Sequence, residues 1–379
     1  MNIVWISKIS MDMPHKTSRL KLSESLIKRG HNVTLFVVKK FGEKNCDSKY
    51  IRCISTIDYP ILSGFFYGLL IFFYFPILLK RIKIDIIIID CTKVWLPFVI
   101  PLKILNKPIV LDIRTLPIEK EKPFFFKTSI FLSKYIVDGI TTITPELYNE
   151  LKNKYNLKEK KICFWPSGVS IEDFDRLDKK SDLKINFKDC DLILAYHGTY
   201  DSKTRKIENI IIAISELDPS LKNRVGLLII GMPPKKIKDL LKLCEELGIR
   251  KNINIIPKVE YNKIPQFLQI ADIGVIPLPP EHIWWRVSAP LKTLEYLAAK
   301  KPIIATSIPF HCKIFKKAIC GILLDSSSPK AIAYGITYLF TKQKDLKRMG
   351  EEGRKIVEKY YTWDVIAQKV EDFLKNISN

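Results

Sequence analysis

Short, almost wholly apolar runs alternate with longer amphipathic stretches along the chain. Residues 3–7 (IVWIS) are followed by a stretch in which Leu20, Leu22 and Leu26 roughly share one helical face, and Gly30 stands where such a helix ends. Runs this uniformly apolar are typical of strands buried on both faces of a parallel sheet. The pattern predicts further strands at VTLFVV (33–38), DIIIID (85–90), PIVLDIR (108–114) and GITTIT (139–144).

A charged stretch, residues 170–184, separates this series from a second one of the same kind. Two consecutive strand–helix series predict the α/β class, with two doubly wound Rossmann-like domains facing each other across a cleft. Ligands of such folds bind beyond the carboxyl ends of the strands. The second series has predicted strands at LILAYHGTY (192–200), VGLLIIG (225–231), INIIP (253–257), IGVIPLP (273–279), PIIAT (302–306) and GILLD (321–325).

The segment ILSGFFYGLLIFFYFPILL (residues 61–79) is almost wholly apolar and is followed by Lys80, Arg81 and Lys83. As a helix it would be about 28 Å long, barely the thickness of a bilayer core. A single crossing would place the predicted strands on either side of it on opposite faces of the membrane. We therefore predict either a helix buried in the domain or, preferably, an in-plane helix at the lipid interface, which Pro76 would kink.

The charge balance is strongly basic. Of 379 residues, 62 are Lys or Arg and 40 are Asp or Glu, giving a formal net charge of +22. This excess indicates an anionic partner, unless the lysine- and isoleucine-rich composition reflects genome bias. Because no clustered basic stripe with interleaved aromatics is present, we expect a phosphate-bearing substrate or an anionic membrane rather than nucleic acid.

The cysteines and the first residues bear on the compartment. Eight cysteines occur without a C-x-x-C pair or metal-ligand spacing, which predicts reduced, mostly buried thiols and no zinc site. The opening MNIVWISKIS enters as a strand and lacks the features of a signal peptide. Both observations favour a cytoplasmic protein.

The stretch SAPLKTLEYLAAKKPIIAT (288–306) places a proline-led turn before an amphipathic segment. Pro290 suits the first turn of a helix, and the amides around it would hold a phosphate. Glu295, one turn further, would accept hydrogen bonds from vicinal hydroxyls such as those of a ribose. The alternative is that Glu295 merely offsets Lys292 on a solvated face.

A second candidate stretch, HGTYDSKTRK (197–206), follows the first strand of the second series. Gly198 would allow close approach of a ligand to the backbone, and Lys203, Arg205 and Lys206 would neutralise a diphosphate. The alternative is a solvated basic loop, which is common in a chain this rich in lysine.

A third candidate lies at a predicted strand end of the first domain. Asp112 and Arg114 in LDIRTLP would orient an acceptor or form an internal ion pair. His15 and His197 are the histidines best placed near ligand-binding edges, although a lone histidine is more often structural.

Several familiar catalytic motifs are absent from the sequence. There is no G-x-G-x-x-G after a strand, no P-loop, no G-x-S-x-G and no H-E-x-x-H. Hydride transfer, P-loop phosphoryl transfer and triad hydrolysis are therefore disfavoured.

Six segments follow one another in an order typical of one enzyme family: MNIVWIS, LIKRGHNVTLF, FWPSGVSIEDF, APLKTLEYLAAKKPIIAT, GILLDSSSPKAIAYGITYLF and YYTWDVIAQKV. In this order the chain resembles glycosyltransferase family 4, the group 1 glycosyltransferases of the GT-B fold. The resemblance implies an acceptor-side domain at 1–180, a nucleotide-sugar-binding domain at 181–358 and a last helix, 359–379, that crosses back onto the first domain.

The resemblance also implies roles for individual residues. The donor would be a nucleotide diphosphate-sugar, with no cofactor or metal and with retention of the anomeric configuration. Glu295 matches the second glutamate of a pair separated by seven residues, which binds the donor ribose, and Arg205 falls where a basic residue contacts the diphosphate. The amides at Pro290 and Leu291 would complete the phosphate site. The expected donor-binding set is Glu295, Arg205, Gly198, Thr199, Ser288, Pro290, Leu291 and Lys292. The expected catalytic set is Arg114, Asp112 and His15.

Four positions depart from the family pattern. Val287 stands where the first glutamate of the pair would be, and KISMDMPHKTS replaces a glycine-rich loop after the first strand. Thr199 stands where an arginine often assists the diphosphate, and Arg114 takes roughly the place of a first-domain histidine. These changes leave nucleotide binding plausible and leave the sugar open.

The sequence thus predicts a glycosyltransferase that moves a sugar from a nucleotide diphosphate-sugar to a lipid-linked or surface-glycan acceptor. We expect it to be cytoplasmic and peripherally associated with the inner face of the cell membrane. Two alternatives remain: a nucleotide-sugar epimerase of the same architecture, and a catalytically weak glycan- or lipid-binding member of an assembly complex.

Overall fold

The computed structural model describes residues 1–10, 16–40, 47–56, 60–91, 96–117, 123–157, 160–175, 185, 187, 189–201 and 204–378. The chain divides into two compact units. The first comprises Met1–Ser167 and the C-terminal segment from Trp363, and the second is Gly168–Thr362. The sequence placed these divisions at 180/181 and 358/359.

The first unit is built on a seven-stranded parallel sheet with the strand order β3-β2-β1-β4-β5-β6-β7. Its strands form because each predicted apolar run can be buried between two helical layers. The strand order reverses between β1 and β4. The strands are β1 Asn2–Ser10, β2 Asn32–Lys40, β3 Ile51–Thr56, β4 Ile86–Asp90, β5 Ile109–Ile113, β6 Gly139–Thr142 and β7 Lys161–Phe164. The helices are α1 Lys16–Lys28, α2 Pro60–Leu69, α3 Phe75–Leu79, α4 Pro123–Ile136 and α5 Pro145–Tyr155.

The second unit has a six-stranded parallel sheet with the order β10-β9-β8-β11-β12-β13, which reverses between β8 and β11. Its strands are β8 Leu192–His197, β9 Val225–Met232, β10 Ile253–Pro257, β11 Ile273–Ile276, β12 Ile303–Thr306 and β13 Gly321–Leu324. Its helices are α6 Glu172–Asp175, α7 Ile207–Ser215, α8 Pro219–Lys222, α9 Pro234–Glu246, α10 Ile264–Ile270, α11 Ile283–Arg286, α12 Leu291–Ala298, α13 Pro309–Phe315, α14 Pro329–Thr341 and α15 Gln343–Tyr360. The two parallel-sheet α/β units confirm the predicted fold class.

The last helix, α16 (Trp363–Ser378), packs on α1 and β7 of the first unit. Trp363 and Phe373 join the core that contains Trp5. The Glu371 carboxylate accepts a hydrogen bond from Arg29 Nε at 2.6 Å. Burial and a charged hydrogen bond therefore both fix this terminal helix on the first unit.

The apolar segment at 61–79 is not one straight helix. A π-helical turn, Leu70–Tyr74, separates α2 from α3, and Pro76 lies in the first turn of α3. One face of the segment is buried and the other exposes several aromatic rings. The segment is thus partly buried in the unit and partly open to solvent, and its placement at a lipid interface stays a prediction.

No helix within the described residues combines the length and the apolar character that a bilayer crossing requires. A 3-10 helix, Leu96–Leu105, follows β4 and packs against α2, the π-helical turn, α3 and α4.

The cysteines differ in part from expectation. Cys53 is disulfide-bonded, so the prediction of reduced thiols is wrong at this position. Among the described residues, most free thiols are buried as predicted; the free thiols there are Cys91, Cys163, Cys190, Cys244, Cys312 and Cys320.

Candidate functional site

The strand order of the second sheet reverses between β8 and β11, so the segments that follow these strands diverge and leave a ligand-binding position at the carboxyl edge. The segment after β8 is residues 198–206, and the segment after β11 leads through α11 to α12. Most of the residues predicted to bind a donor lie on these two segments.

Two cations converge beside Gly198. This glycine has φ +132°, a conformation that other residues rarely adopt. A Cβ atom placed on it would lie 3.0 Å from Lys292 Nζ and 3.9 Å from Arg205 Nη1. The absence of a side chain at Gly198 therefore keeps the space beside both cations open.

Lys292 is only 7% exposed, although lysine side chains normally lie in solvent. Its Nζ lies 4.1 Å from the centroid of the Tyr196 ring and makes no hydrogen bond within the described part of the chain. Burial, and then the charge of Arg205, hold the pKa of the Lys292 ammonium well below its usual value. A buried cation without a hydrogen-bond partner is costly, and a bound anion would relieve that cost.

Arg205 is half-buried on the segment after β8. Its backbone N–H donates to the Asp201 carbonyl at 3.0 Å, and its guanidinium lies 5.3 Å from the centroid of the Trp285 ring. No carboxylate among the described residues forms an ion pair with it. Arg205 and Lys292 thus produce a local excess of positive charge at the sheet edge.

Glu295 lies one helical turn after Lys292 and is 3% exposed, so it does not lie on a solvated face. Its Oε2 is 3.3 Å from His197 Nε2, and its Oε1 makes no hydrogen bond to the described residues. Burial raises the pKa of the Glu295 carboxyl to about 7, against the opposing effects of the Tyr261 hydroxyl and Lys292. Asp173, Tyr261 and Glu295 are among the residues that line a cavity of about 10 Å³.

His197 is buried at the end of β8 and is best understood as a structural residue. Burial, with the nearby charges of Lys292 and Arg205, lowers its pKa to about 3, so its ring is neutral. Its backbone N–H donates to the Tyr296 hydroxyl at 3.0 Å, and that hydroxyl donates to the Ala195 carbonyl at 2.9 Å. These bonds fix α12, and with it Lys292 and Glu295, against β8.

The remaining predicted donor residues lie at the beginning of α12 or on the segment after β8. Thr199 is exposed, and the Ser288 hydroxyl donates to the Trp284 carbonyl. Pro290 is the N-cap of α12 and has no N–H, so the free amides at this helix end are those of Leu291 and Lys292. The predicted phosphate site therefore has Leu291 and Lys292 amides rather than an amide at Pro290.

In the first unit, Asp112 and Arg114 are both buried at the end of β5. Asp112 accepts a hydrogen bond from the Thr141 hydroxyl at 2.7 Å, and burial raises its pKa. The Arg114 guanidinium lies 3.6 Å from the Trp165 ring centroid and donates to the Trp165 carbonyl at 2.6 Å. Each charge favours the ionised form of the other, although no direct ion pair joins these two described side chains.

His15 and Lys203, also predicted as site residues, lie outside the described residues. The sequence did not single out Arg19 and Asp90, which form a buried ion pair of 2.8 Å where the first sheet reverses its order. It also missed Tyr261, which reaches the site from a segment distant in sequence, and Trp285, which lies on α11 shortly before the predicted stretch 288–306. The reversal points of the two strand series are the only signal that would have directed attention to them.

Comparison with known proteins agrees with this architecture. A family model of group 1 glycosyl transferases matches residues 178–356, and a model of glycosyltransferase family 4 matches residues 17–173. Two parallel-sheet α/β units together with these family matches define the class, a GT-B type protein. The chain belongs to the group 1 glycosyltransferases of family 4.

Relatives of similar sequence are glycosyltransferases. An uncharacterised one from Methanocaldococcus jannaschii is 24% identical over 65% of this chain and 62% of its own length. A GDP-mannose-dependent phosphatidylinositol monomannoside mannosyltransferase from Mycobacterium tuberculosis is 26% identical over 41% of this chain and 42% of its own. The chain thus aligns with less than two thirds of the length of either relative.

Solved structures of similar fold cover nearly the whole chain. Sucrose-phosphate synthase from Thermosynechococcus elongatus has a TM-score of 0.77 at 16% identity and covers 99% of this chain and 98% of its own. HepE from Anabaena in complex with UDP has a TM-score of 0.75 at 12% identity and covers 99% of this chain and 100% of its own. At these identities the likeness concerns the fold.

Proposed function

We propose that this protein transfers a sugar from a nucleotide diphosphate-sugar to an acceptor hydroxyl, and that the donor binds at the carboxyl edge of the second sheet. The observation that carries the proposal is the convergence of Lys292 and Arg205 beside Gly198, with the buried carboxylate of Glu295 one turn away. Two cations suit a diphosphate and a carboxylate suits ribose hydroxyls. The family membership supports the same reading, as do the UDP complex of HepE and the GDP-mannose dependence of the mycobacterial relative.

The proposed chemistry follows from these charges. As the glycosidic bond to the donor breaks, negative charge develops on the departing diphosphate, where Lys292, Arg205 and the amides at the start of α12 stabilise it. The acceptor hydroxyl is the nucleophile. Retention of configuration, and transfer without a metal or cofactor, remain predictions from the family resemblance.

Calorimetric titration with matched nucleotides tests the donor site. We expect UDP or GDP to bind at least about tenfold more tightly than the corresponding monophosphate, because the second phosphate reaches the cation pair. Equal affinities for the diphosphate and the monophosphate, or no binding of either, would contradict the proposal.

The partner surface is proposed from the first unit. The 3-10 helix at Leu96–Leu105 packs against the segment at 61–79 and against α4, and all three expose large apolar side chains. These exposed apolar side chains are Phe65, Phe72, Phe73, Tyr74, Ile77, Ile100, Ile104, Phe124, Phe131 and Tyr135. Exposed basic residues lie on these elements, namely Lys103 and Lys127, or directly after the segment 61–79, namely Lys80, Arg81 and Lys83. Apolar rings with a basic surround suit an anionic lipid surface, so we infer peripheral binding to the inner face of the cell membrane and a lipid-linked or surface-glycan acceptor.

Replacing both Phe72 and Phe73 with serine should release the protein from vesicles that contain phosphatidylglycerol, because two rings are lost from the interface. Sedimentation of protein with such vesicles measures the effect, and we expect the bound fraction to fall several-fold. Tyr334→Ser is the matched control, since Tyr334 in the second unit is 63% exposed and Phe73 is 66% exposed. Equal sedimentation of the double variant and the wild type would rule out this surface.

A further inference from the structure

The single turn α11 stands directly before Val287, where the family's first glutamate is missing. It carries Trp285, a residue with no assigned role, whose side chain is 9% exposed. The Trp285 indole N–H donates to the Thr204 carbonyl at 2.6 Å. This bond joins the segment after β11 to the basic segment after β8, across the point where the strand order reverses.

Arg205 is the residue directly after Thr204, whose carbonyl accepts the hydrogen bond from Trp285. Its guanidinium lies 5.3 Å from the centroid of the same indole ring, a distance at which a cation is attracted to an aromatic face. An arginine side chain loses considerable rotamer freedom when it is fixed. A ring that holds it before the ligand arrives reduces that loss on binding.

The backbone of this segment is fixed from a second side. Asp201 accepts the Arg205 N–H through its carbonyl and the Thr204 N–H through its side chain, at 3.0 and 3.1 Å. Trp285 contacts this segment from the other side of the reversal point. It touches both the backbone, at the Thr204 carbonyl, and the Arg205 side chain.

We propose that Trp285 is a positioning residue that holds Arg205 in place for the donor diphosphate. The inference rests on the proposed function and extends it. In this chain the turn before α12 has no carboxylate at Val287. It contributes to the site through Trp285, which holds the basic segment after β8 in position.

The test compares Trp285→Phe with Trp284→Phe, a substitution of the same type one residue earlier in the same turn. Phenylalanine keeps an aromatic ring and removes the N–H donor, so the domain is expected to remain folded, as thermal unfolding will check. We expect Trp285→Phe to weaken the binding of the nucleoside diphosphate about tenfold and that of the monophosphate less than twofold, with Trp284→Phe unchanged for both.

A double-mutant cycle separates positioning from a general structural effect. In an Arg205→Met background, Trp285→Phe should change diphosphate affinity by less than twofold, because the residue it positions is already gone. The inference is overturned if Trp285→Phe weakens diphosphate and monophosphate equally, has the same effect with and without Arg205, or has none. If the wild type itself does not prefer the diphosphate, the proposed function fails and this inference fails with it.

Discussion

Replacing Lys292 with methionine is expected to weaken the binding of nucleoside diphosphates about a hundredfold or more, because it removes a buried cation from the anion site. The ammonium lies beside Gly198, is nearly inaccessible to water and makes no hydrogen bond within the described residues. A charge in such surroundings attracts an anion much more strongly than one on the surface. Methionine has a similar length and is apolar, so it should fill the same slot.

Calorimetric titration with UDP and GDP measures this loss. Lys238→Met is the matched control, because it removes the same charge from an exposed position on α9 of the same unit. We expect the control to bind like the wild type and Lys292→Met to show no binding in the micromolar range. If both variants keep the affinity of the wild type, Lys292 is not a diphosphate ligand.

Replacing Glu295 with glutamine is expected to weaken binding by about 1 to 3 kcal/mol, or roughly 5- to 150-fold, because hydrogen bonds to a carboxylate are lost. Glutamine keeps the shape of the side chain and removes its charge. Since every nucleotide carries the ribose, the loss should be similar for the monophosphate and the diphosphate. This result would distinguish Glu295 from Lys292, because replacing Lys292 should weaken the binding of the diphosphate only. An unchanged affinity for both nucleotides would remove Glu295 from the site.

The same substitution should stabilise the fold in a pH-dependent way. The Glu295 pKa in the folded protein, about 7, lies above the ordinary value of 4.5, so folding favours the protonated carboxyl. Its favourable contribution is complete below pH 4.5 and is lost as the pH rises through about 7. Glutamine cannot ionise and suffers no such loss.

Thermal unfolding at several pH values measures this effect. The Tm of Glu295→Gln should exceed that of the wild type by a margin that grows between pH 4.5 and 7 and is constant above about pH 8, where ionisation is nearly complete. At the plateau the corresponding difference in the free energy of unfolding is on the order of 3 kcal/mol. A margin that does not vary with pH would show that the pKa of Glu295 is the same in the folded and unfolded protein, as on a solvated face.

Most strands of both sheets could be predicted because they are largely apolar runs, and such runs have few alternatives to burial between two layers. The burial of Lys292 and Glu295 could not. On a helix, a lysine and a glutamate three residues apart normally face solvent and attract each other. Here α12 lies against the reversal point of the sheet, where the contacts of His197 and Tyr296 hold it. Burial of the polar face is a property of that tertiary position.

Two further features lay beyond the sequence pattern. Pro76 suggested a kink in the apolar segment, whereas the irregularity is a π-helical turn that ends before Phe75 and lets Tyr67 and Phe75 pack inward. The contact between Trp285 and Thr204 joins residues that are 81 positions apart. Neither local propensity nor periodicity carries information about a pairing of that kind.

The central claim is tested most directly by turnover of a nucleotide sugar. The wild-type protein would be incubated with a panel of UDP- and GDP-sugars and a crude lipid extract, and the released nucleoside diphosphate and the glycosylated product would be identified by mass spectrometry. The account predicts that at least one donor is consumed only in the presence of the extract, with a sugar added to an extract component, and that Lys292→Met abolishes this reaction. The account would be contradicted if the wild type neither bound a nucleotide sugar nor released a nucleoside diphosphate. It would also be contradicted if Lys292→Met turned over the donor as fast as the wild type.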